Sequence, residues 1–347
     1  MRFSRDCAVV REAVGRDPSC AGHDLSAPLA EMEAATDPDL FLCAAMRVLA
    51  PAGNGHTRII PNAAIRVWPV RIVARQQGFG MVQGAAVRKL ETVNGVPVAD
   101  ALDRFRPMLA GTPARQSVIG AMLLAWPTAL GAASVTYGLD GDSVQFGPDR
   151  LVPALPLYPM SDTGRASPDE EGGALPAPVV WDDPVWHVRI ARFSTPLPPG
   201  LAERILTRPH ANIVVDLRGN TGGDFTRILP VIDALRTHWH GTRLSVRVDR
   251  FTFSAAIVAA VLFQHHLGAR LFGEAMGDGL RFWAEGDTME MPDTGAHLRW
   301  SSAWHDWETG QPDATTPPEI ARHMVATGPL RITPCTDGAA AHDWAAG

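Results

Sequence analysis

The sequence predicts an α/β fold, and three features of its second half carry that reading. From residue 185 onward, strand-like runs alternate with helical ones, which is the pattern of a largely parallel sheet with helical connections. The run 211–217 (ANIVVDL) is continuously apolar, as a strand buried on both faces must be. That run leads into a glycine-rich turn and then into another helical stretch.

The elements follow in order. Residues 1–50 read as helical, with Asp37-Pro38 as a helix start and Leu40, Leu42, Met46 and Leu49 near one face. Gly53-Asn54-Gly55 breaks the helix, and Ile59, Ile65, Val67, Val70, Ile72 and Val73 mark short strands. In 87–98 a strand, an Asn94-Gly95 turn and a second strand succeed one another, because Asn-Gly tolerates the positive φ of a tight hairpin. A helix is expected from Ala99 to near Gly111, then a further helix and a strand pair around Asp140-Gly141. Residues 159–184 are rich in Pro, Gly, Asp, Glu and Ser and read as a linker or loop. Strands are then expected at 185–193, 211–217, 244–248 and 269–272, with helices at 201–207, 225–238 and 254–266. Residues 280–335 read as β-rich. The resulting division is a helical segment (1–55), an α+β segment (56–158), the linker (159–184), an α/β core (185–335) and a disordered tail (336–347).

Bulk properties exclude several function classes. A net charge of −6 with no dominant basic patch argues against a nucleic-acid partner. No apolar stretch reaches the length of a membrane span, and the start MRFSRDCAVVREAVGRD holds no signal-like apolar run, so a cytoplasmic protein is expected. Cys7, Cys20, Cys43 and Cys335 form no CxxC pair, so reduced thiols and no zinc site are expected, and nucleophilic chemistry on a serine would need no metal or other cofactor. Lys89 is the only lysine among 31 basic residues, which all but removes lysine as a catalytic base. Oligomeric state has no signature in the sequence.

Three local patterns carry chemistry, each with a plainer alternative. Asp216-Leu217-Arg218-Gly219-Asn220-Thr221-Gly222-Gly223 is either a turn whose amides hold an oxyanion or an ordinary strand-to-helix turn. Ser254, in Phe251-Thr252-Phe253-Ser254-Ala255-Ala256, is either a nucleophile at a positive helix end or a helix N-cap. His56, in Gly53-Asn54-Gly55-His56-Thr57, is either a general base or a loop histidine.

In this order and spacing the motifs resemble those of the tail-specific (carboxyl-terminal processing) and tricorn-core serine peptidases. The family's GDGHT-like motif is matched by 53–57, with Asn54 in place of the acid, and its LxxINGxPV-like piece by 90–98. DLRxNxGG is matched by 216–223, TxSAA by 252–256 and GAxLxGExxxG by 268–277. The resemblance implies a ClpP/crotonase-like α/β core behind the helical segment, with a partial PDZ-like β-rich segment in 56–158. It implies Ser254 as nucleophile, His56 as base and backbone N–H groups of Gly222 or Gly223 and of Ala255 as oxyanion donors. Asp216 and Arg218 would then fix the glycine turn. The family's alternative dyad lysine falls on Asp278, so the resemblance points to the histidine-dependent branch. Asp313 is the expected third member, with Asp306 and Glu308 as rivals. The substrate would be a polypeptide or peptide. Two other readings stand beside this one: an inactive ligand- or peptide-binding relative, and an esterase or thioesterase on the same core.

Overall fold

The computed structural model describes residues 2–61, 65–75, 77–84, 86–154, 179–182 and 185–335. Most of the expected linker and the whole expected tail lie outside the described residues. The chain divides into two units, Met1–Ser161 with Trp283–Trp304, and Asp162–Phe282 with His305–Gly347.

The second unit is the α/β part. Its sheet runs in the order Val179–Asp182, Val185–Arg189, Asn212–Asp216, Leu244–Val248, Arg270–Gly273, Ile332–Pro334. The first pair is antiparallel and every later pair is parallel. Residues 179–182, expected within the linker, therefore extend the sheet. Ile213 to Asp216 are all buried, as the apolar run required. The helix Ala255–Leu267 is buried at every residue from Ala255 to Phe263, the mark of a helix enclosed by its unit rather than lying on it. The expected helix at 225–238 starts as a single 3₁₀ turn, Phe225–Ile228, capped by Asp224, and becomes α-helical at Leu229–His238.

The first unit opens with three helices, Ser4–Arg16, Ser26–Ala34 and Pro38–Leu49. Asp37 caps the third through its side chain, accepting from Asp39 N and Leu40 N, and Pro38 takes the first turn, where no N–H is needed. Phe41, Leu42, Met46 and Leu49 are buried, but Leu40 is 52% exposed. Two residues advance a helix by about 200°, which turns Leu40 away from the face of Leu42.

A six-stranded antiparallel sheet follows, in the order Arg71–Arg75, Gly78–Gln83, Ala86–Val93, Val135–Leu139, Asp142–Phe146, with Val96–Pro97 paired beside Ala86–Val93. Asn94 and Gly95 take φ of 52° and 76°, and Asn94 exchanges hydrogen bonds with Thr136. The helix expected from Ala99 to near Gly111 is only Val98–Asp103, and a 3₁₀ turn at Arg106–Met108 replaces its second half. Pro107 is the reason, since its ring has no amide to donate and disfavours helix at the residue before it. The strand Arg58–Ile60, just after His56-Thr57, pairs with His297–Arg299, which in turn pairs with Thr288–Glu290. Among the described residues no helix is long and apolar enough to cross a membrane.

Candidate active site

In the second unit, the strand Asn212–Asp216 ends in an arginine cluster. Asp216 faces Arg189 at 3.0 Å, Arg218 at 2.8 Å and Arg247 at 3.6 Å. Burial alone would raise this carboxyl, but the hydrogen bond from Arg218 and the charges of Arg218, Arg189 and Arg247 outweigh it and hold it near 2. Asp216 and Arg218 thus secure the start of the glycine turn, as the resemblance implied.

Asn220, fully buried, shapes the turn that follows. Its Nδ2 donates to Ile190 O at 2.9 Å and its Oδ1 accepts from Gly222 N at 2.9 Å. Phe253 N reaches back to Asn220 O at 3.0 Å. Gly222 and Gly223 take φ of 105° and 125°, where L side chains are strained. A Cβ on Gly222 would stand 2.8 Å from Ser254 Cβ, 2.9 Å from Phe253 O and 3.1 Å from Ala255 N. Glycine at 222 therefore keeps the space beside Ser254 and the Ala255 amide open. Gly223 lies against Phe193 in a parallel bridge, with Phe193 N donating to Gly222 O and Asp224 N to Phe193 O.

Ser254 occupies the N-cap position of Ala255–Leu267 with φ 56° and ψ −126°, and its side chain makes no capping hydrogen bond. The plain capping role is thereby set aside. A β-region backbone is what a capping serine needs, and this one has positive φ instead. Such a conformation costs on the order of 1–3 kcal/mol and persists only where the surrounding structure holds it. Helix geometry leaves the first amides without intrahelical partners. Among the described residues, the N–H groups of Ala255 and Gly223 donate to no acceptor. Of the expected oxyanion donors, Gly222 differs in that its N–H donates to Asn220 Oδ1 at 2.9 Å.

One further acid of this unit lies outside the motifs. Asp249 is buried and accepts Gly219 N on both oxygens at 3.1 Å. Its Oδ1 also accepts Phe251 N at 3.0 Å, Thr252 N at 2.9 Å and Thr252 Oγ1 at 3.2 Å. Burial pushes this carboxyl up to about 6. The signal was available, since Asp followed three residues later by Thr is a side-chain-to-backbone turn pattern.

In the first unit, His56 sits on a turn and is buried, at 2% exposed. Its backbone N–H donates to Asn54 Oδ1 at 3.2 Å. Asn54 Nδ2 donates to Thr57 Oγ1 at 3.1 Å and to Ser301 Oγ at 3.0 Å. Thr57 Oγ1 donates to Asp17, a buried carboxylate that also accepts Ser19 N, Ser19 Oγ and Ser301 N. Because the Thr57 hydroxyl proton goes to Asp17, its oxygen needs a donor, and an amide at 54 supplies one where a carboxylate does not. Asp17 and Ser301 lie far from the motif in sequence and carry no local signal there.

The three candidate acids each serve a local turn or ion pair in the second unit. Asp313 is exposed, and its Oδ1 accepts Thr315 N at 2.7 Å, Thr315 Oγ1 at 2.6 Å and Thr316 N at 3.2 Å. Asp306 accepts Thr309 N at 2.8 Å and faces Arg281 at 3.3 Å; Glu308 faces the same Arg281 at 3.1 Å. Gly277 N donates to Thr252 O at 2.9 Å, so the Gly277-Asp278-Gly279 turn is tied to the segment that carries Ser254. Lys89 is exposed in the first unit and paired with Glu91 at 3.0 Å. No group of three His, Cys, Asp or Glu able to hold a metal occurs among the described residues.

No protein-family model matches the chain, and no curated protein matches it. Solved structures do. Mature CPAF complexed with lactacystin aligns at 13% identity and a TM-score of 0.56, over 86% of this chain and 90% of that one. Mature CPAF alone aligns at 12% identity and a TM-score of 0.57, over 86% and 88%. A looser likeness, with a TM-score of 0.42 and 13% identity, spans 100% of this chain and 97% of the photosystem II D1 C-terminal processing protease. At such identities the likeness establishes the fold. The α/β fold is shared with mature CPAF over most of both chains.

Proposed function

We propose that this chain is a serine-type endopeptidase of the histidine-dependent, tricorn-like kind, acting on polypeptides through an acyl-enzyme on Ser254. The observation that carries the proposal is the conformation of Ser254, held at φ 56° with its side chain released from the helix cap and a glycine kept in front of it. A serine that only caps a helix has no use for that strain.

In the proposed reaction His56 accepts the Ser254 hydroxyl proton as Oγ attacks the scissile carbonyl carbon. The N–H groups of Gly223 and Ala255 receive the charge on the carbonyl oxygen. Collapse of the tetrahedral species breaks the C–N bond, and His56 returns the proton to the leaving amine. Water, deprotonated by His56, then hydrolyses the ester and restores Ser254. Asp313 is assigned to orient His56, with Asp306 and Glu308 as the other carboxylates to test. The histidine assignment is supported by the motif around His56, its buried loop and the absence of any lysine besides Lys89.

The test is a fluorophosphonate probe on the folded protein, followed by digestion of casein with wild type beside Ser254→Ala. Labelling at Ser254 and casein cleavage lost in the variant are expected. A folded protein that is never labelled would overturn the enzyme reading. Labelling with hydrolysis of a p-nitrophenyl ester but no peptide cleavage would make it an esterase.

A further inference from the structure

We infer that Asp249 is a positioning residue for this reaction, a clamp that ties the glycine turn with its oxyanion amides to the turn that carries Ser254. The inference rests on the peptidase reading, because it concerns the geometry of that site. Two loop segments leave the ends of neighbouring parallel strands, whose last ladder pair is Asp216 with Arg247. Beyond that pair no sheet ladder joins the two strands. Gly222 and Ser254 must nevertheless stay in contact for the site to exist.

One backbone hydrogen bond, Phe253 N to Asn220 O at 3.0 Å, crosses between the two turns, and the carboxylate of Asp249 supplies the larger part of the connection. From the serine side it gathers Phe251 N and Thr252 N, and from the glycine side Gly219 N on both oxygens. Thr252 closes the arrangement, accepting from Asp249 N at 2.9 Å and reaching Leu217 O at 3.2 Å. The charged groups facing Asp249 are Glu274, Asp216 and Arg218. Two of them are anions, so a buried carboxylate here is electrostatically unfavourable and is retained for its acceptor geometry.

The two oxygens divide the work unequally. Oδ1 serves both turns, whereas the only donor described at Oδ2 is Gly219 N. Asp249→Asn with its oxygen kept at Oδ1 preserves the serine turn and places an NH₂ against Gly219 N–H. Donor then meets donor on the glycine side alone.

The experiment uses the full chain, with hydrogen–deuterium exchange read by mass spectrometry and steady-state cleavage of fluorescent casein. In Asp249→Asn, exchange in 219–223 is expected to rise tenfold or more, with 251–256 unchanged. The apparent kcat is expected to fall tenfold or more while KM stays within twofold, because oxyanion amides act on the transition state and not on substrate binding. A loss of packing alone would move KM and exchange throughout the unit. A folded variant with wild-type exchange at 219–223 and wild-type kcat overturns the inference. Should Asp249→Asn not fold, Thr252→Val decides. It removes the hydroxyl from the serine side, and faster exchange at 251–256 with lower kcat supports the clamp, whereas wild-type behaviour overturns it. The exchange measurement needs no turnover. If wild type fails to cut casein, the peptidase reading fails separately from the clamp.

Discussion

The serine turn and the histidine loop solve one problem in two ways. On the proposed reading each must hold a reactive side chain on an irregular segment, and each segment is built around a buried aspartate that collects donors. At the serine turn these donors are mainly backbone amides, from Gly219, Phe251 and Thr252, and the turn stores strain at Ser254. In the histidine loop the donors to Asp17 include the hydroxyls of Ser19 and Thr57, and no residue of the 53–57 stretch other than Gly53 has positive φ. A nucleophile must be thrust out beside amides aimed at a substrate, which takes unusual backbone. A base needs only a fixed ring, which ordinary backbone and a side-chain network provide.

The strongest way to break this comparison is at the strained position. Ser254→Ala should lower casein cleavage by a factor of about 10³ or more. Ser254→Gly should be equally inactive but more stable by about 1–2 kcal/mol in urea titrations, since glycine accepts the positive φ. A stability loss in Ser254→Gly would show that the turn is not strained. Gly222→Ala comes next. Its Cβ would press on Ser254 Cβ at 2.8 Å, and a loss of roughly 1–3 kcal/mol together with at least tenfold lower activity is expected.

Asn54→Asp sharpens the other side. An acid at this position should destabilise the loop by about 1–3 kcal/mol, because it removes a donor to Thr57 and Ser301 and adds charge near Asp17. An Asn54→Asp protein with an unchanged denaturation midpoint would refute the network as drawn.

The smallest effects are in pH. Asp216, held near 2, is below its unfolded value, so its contribution is present above pH 4 and is lost as pH falls towards 2. Asp249, raised to about 6, has the opposite sign. Its protonated form is favoured by the fold, so that contribution is full below pH 4 and disappears as pH rises through 6. Each amounts to about 2–3 kcal/mol. Wild type should therefore gain stability relative to Asp249→Asn between pH 7 and pH 4, measured as the difference in urea midpoints. A pH-independent difference would place Asp249 at an ordinary value.

Much of the second unit was legible because its strands are apolar on both faces and its turns carry glycine. The strand at 211–217, the helix after Ser254 and the Asn94-Gly95 hairpin follow from local pattern alone. What misled was also local. Leu40 lies on the opposite side of the helix from Leu42, and Pro107 interrupts the expected helix. The turn that Asp313 closes with Thr315 and Thr316 is not legible from its spacing to Ser254.

The sequence by itself determined the α/β alternation, the glycine turn, the serine at a helix start and the near-absence of lysine. These depend on residues within a few positions of one another, where periodicity and backbone preference act directly. Only the tertiary structure decided that Ser254 is strained and not a cap, that the Gly222 amide belongs to Asn220, and that Asp17 and Asp249 hold the two loops. Those outcomes depend on where remote atoms stand: a hydrogen bond or a forbidden Cβ is a matter of ångströms between segments that the sequence keeps far apart.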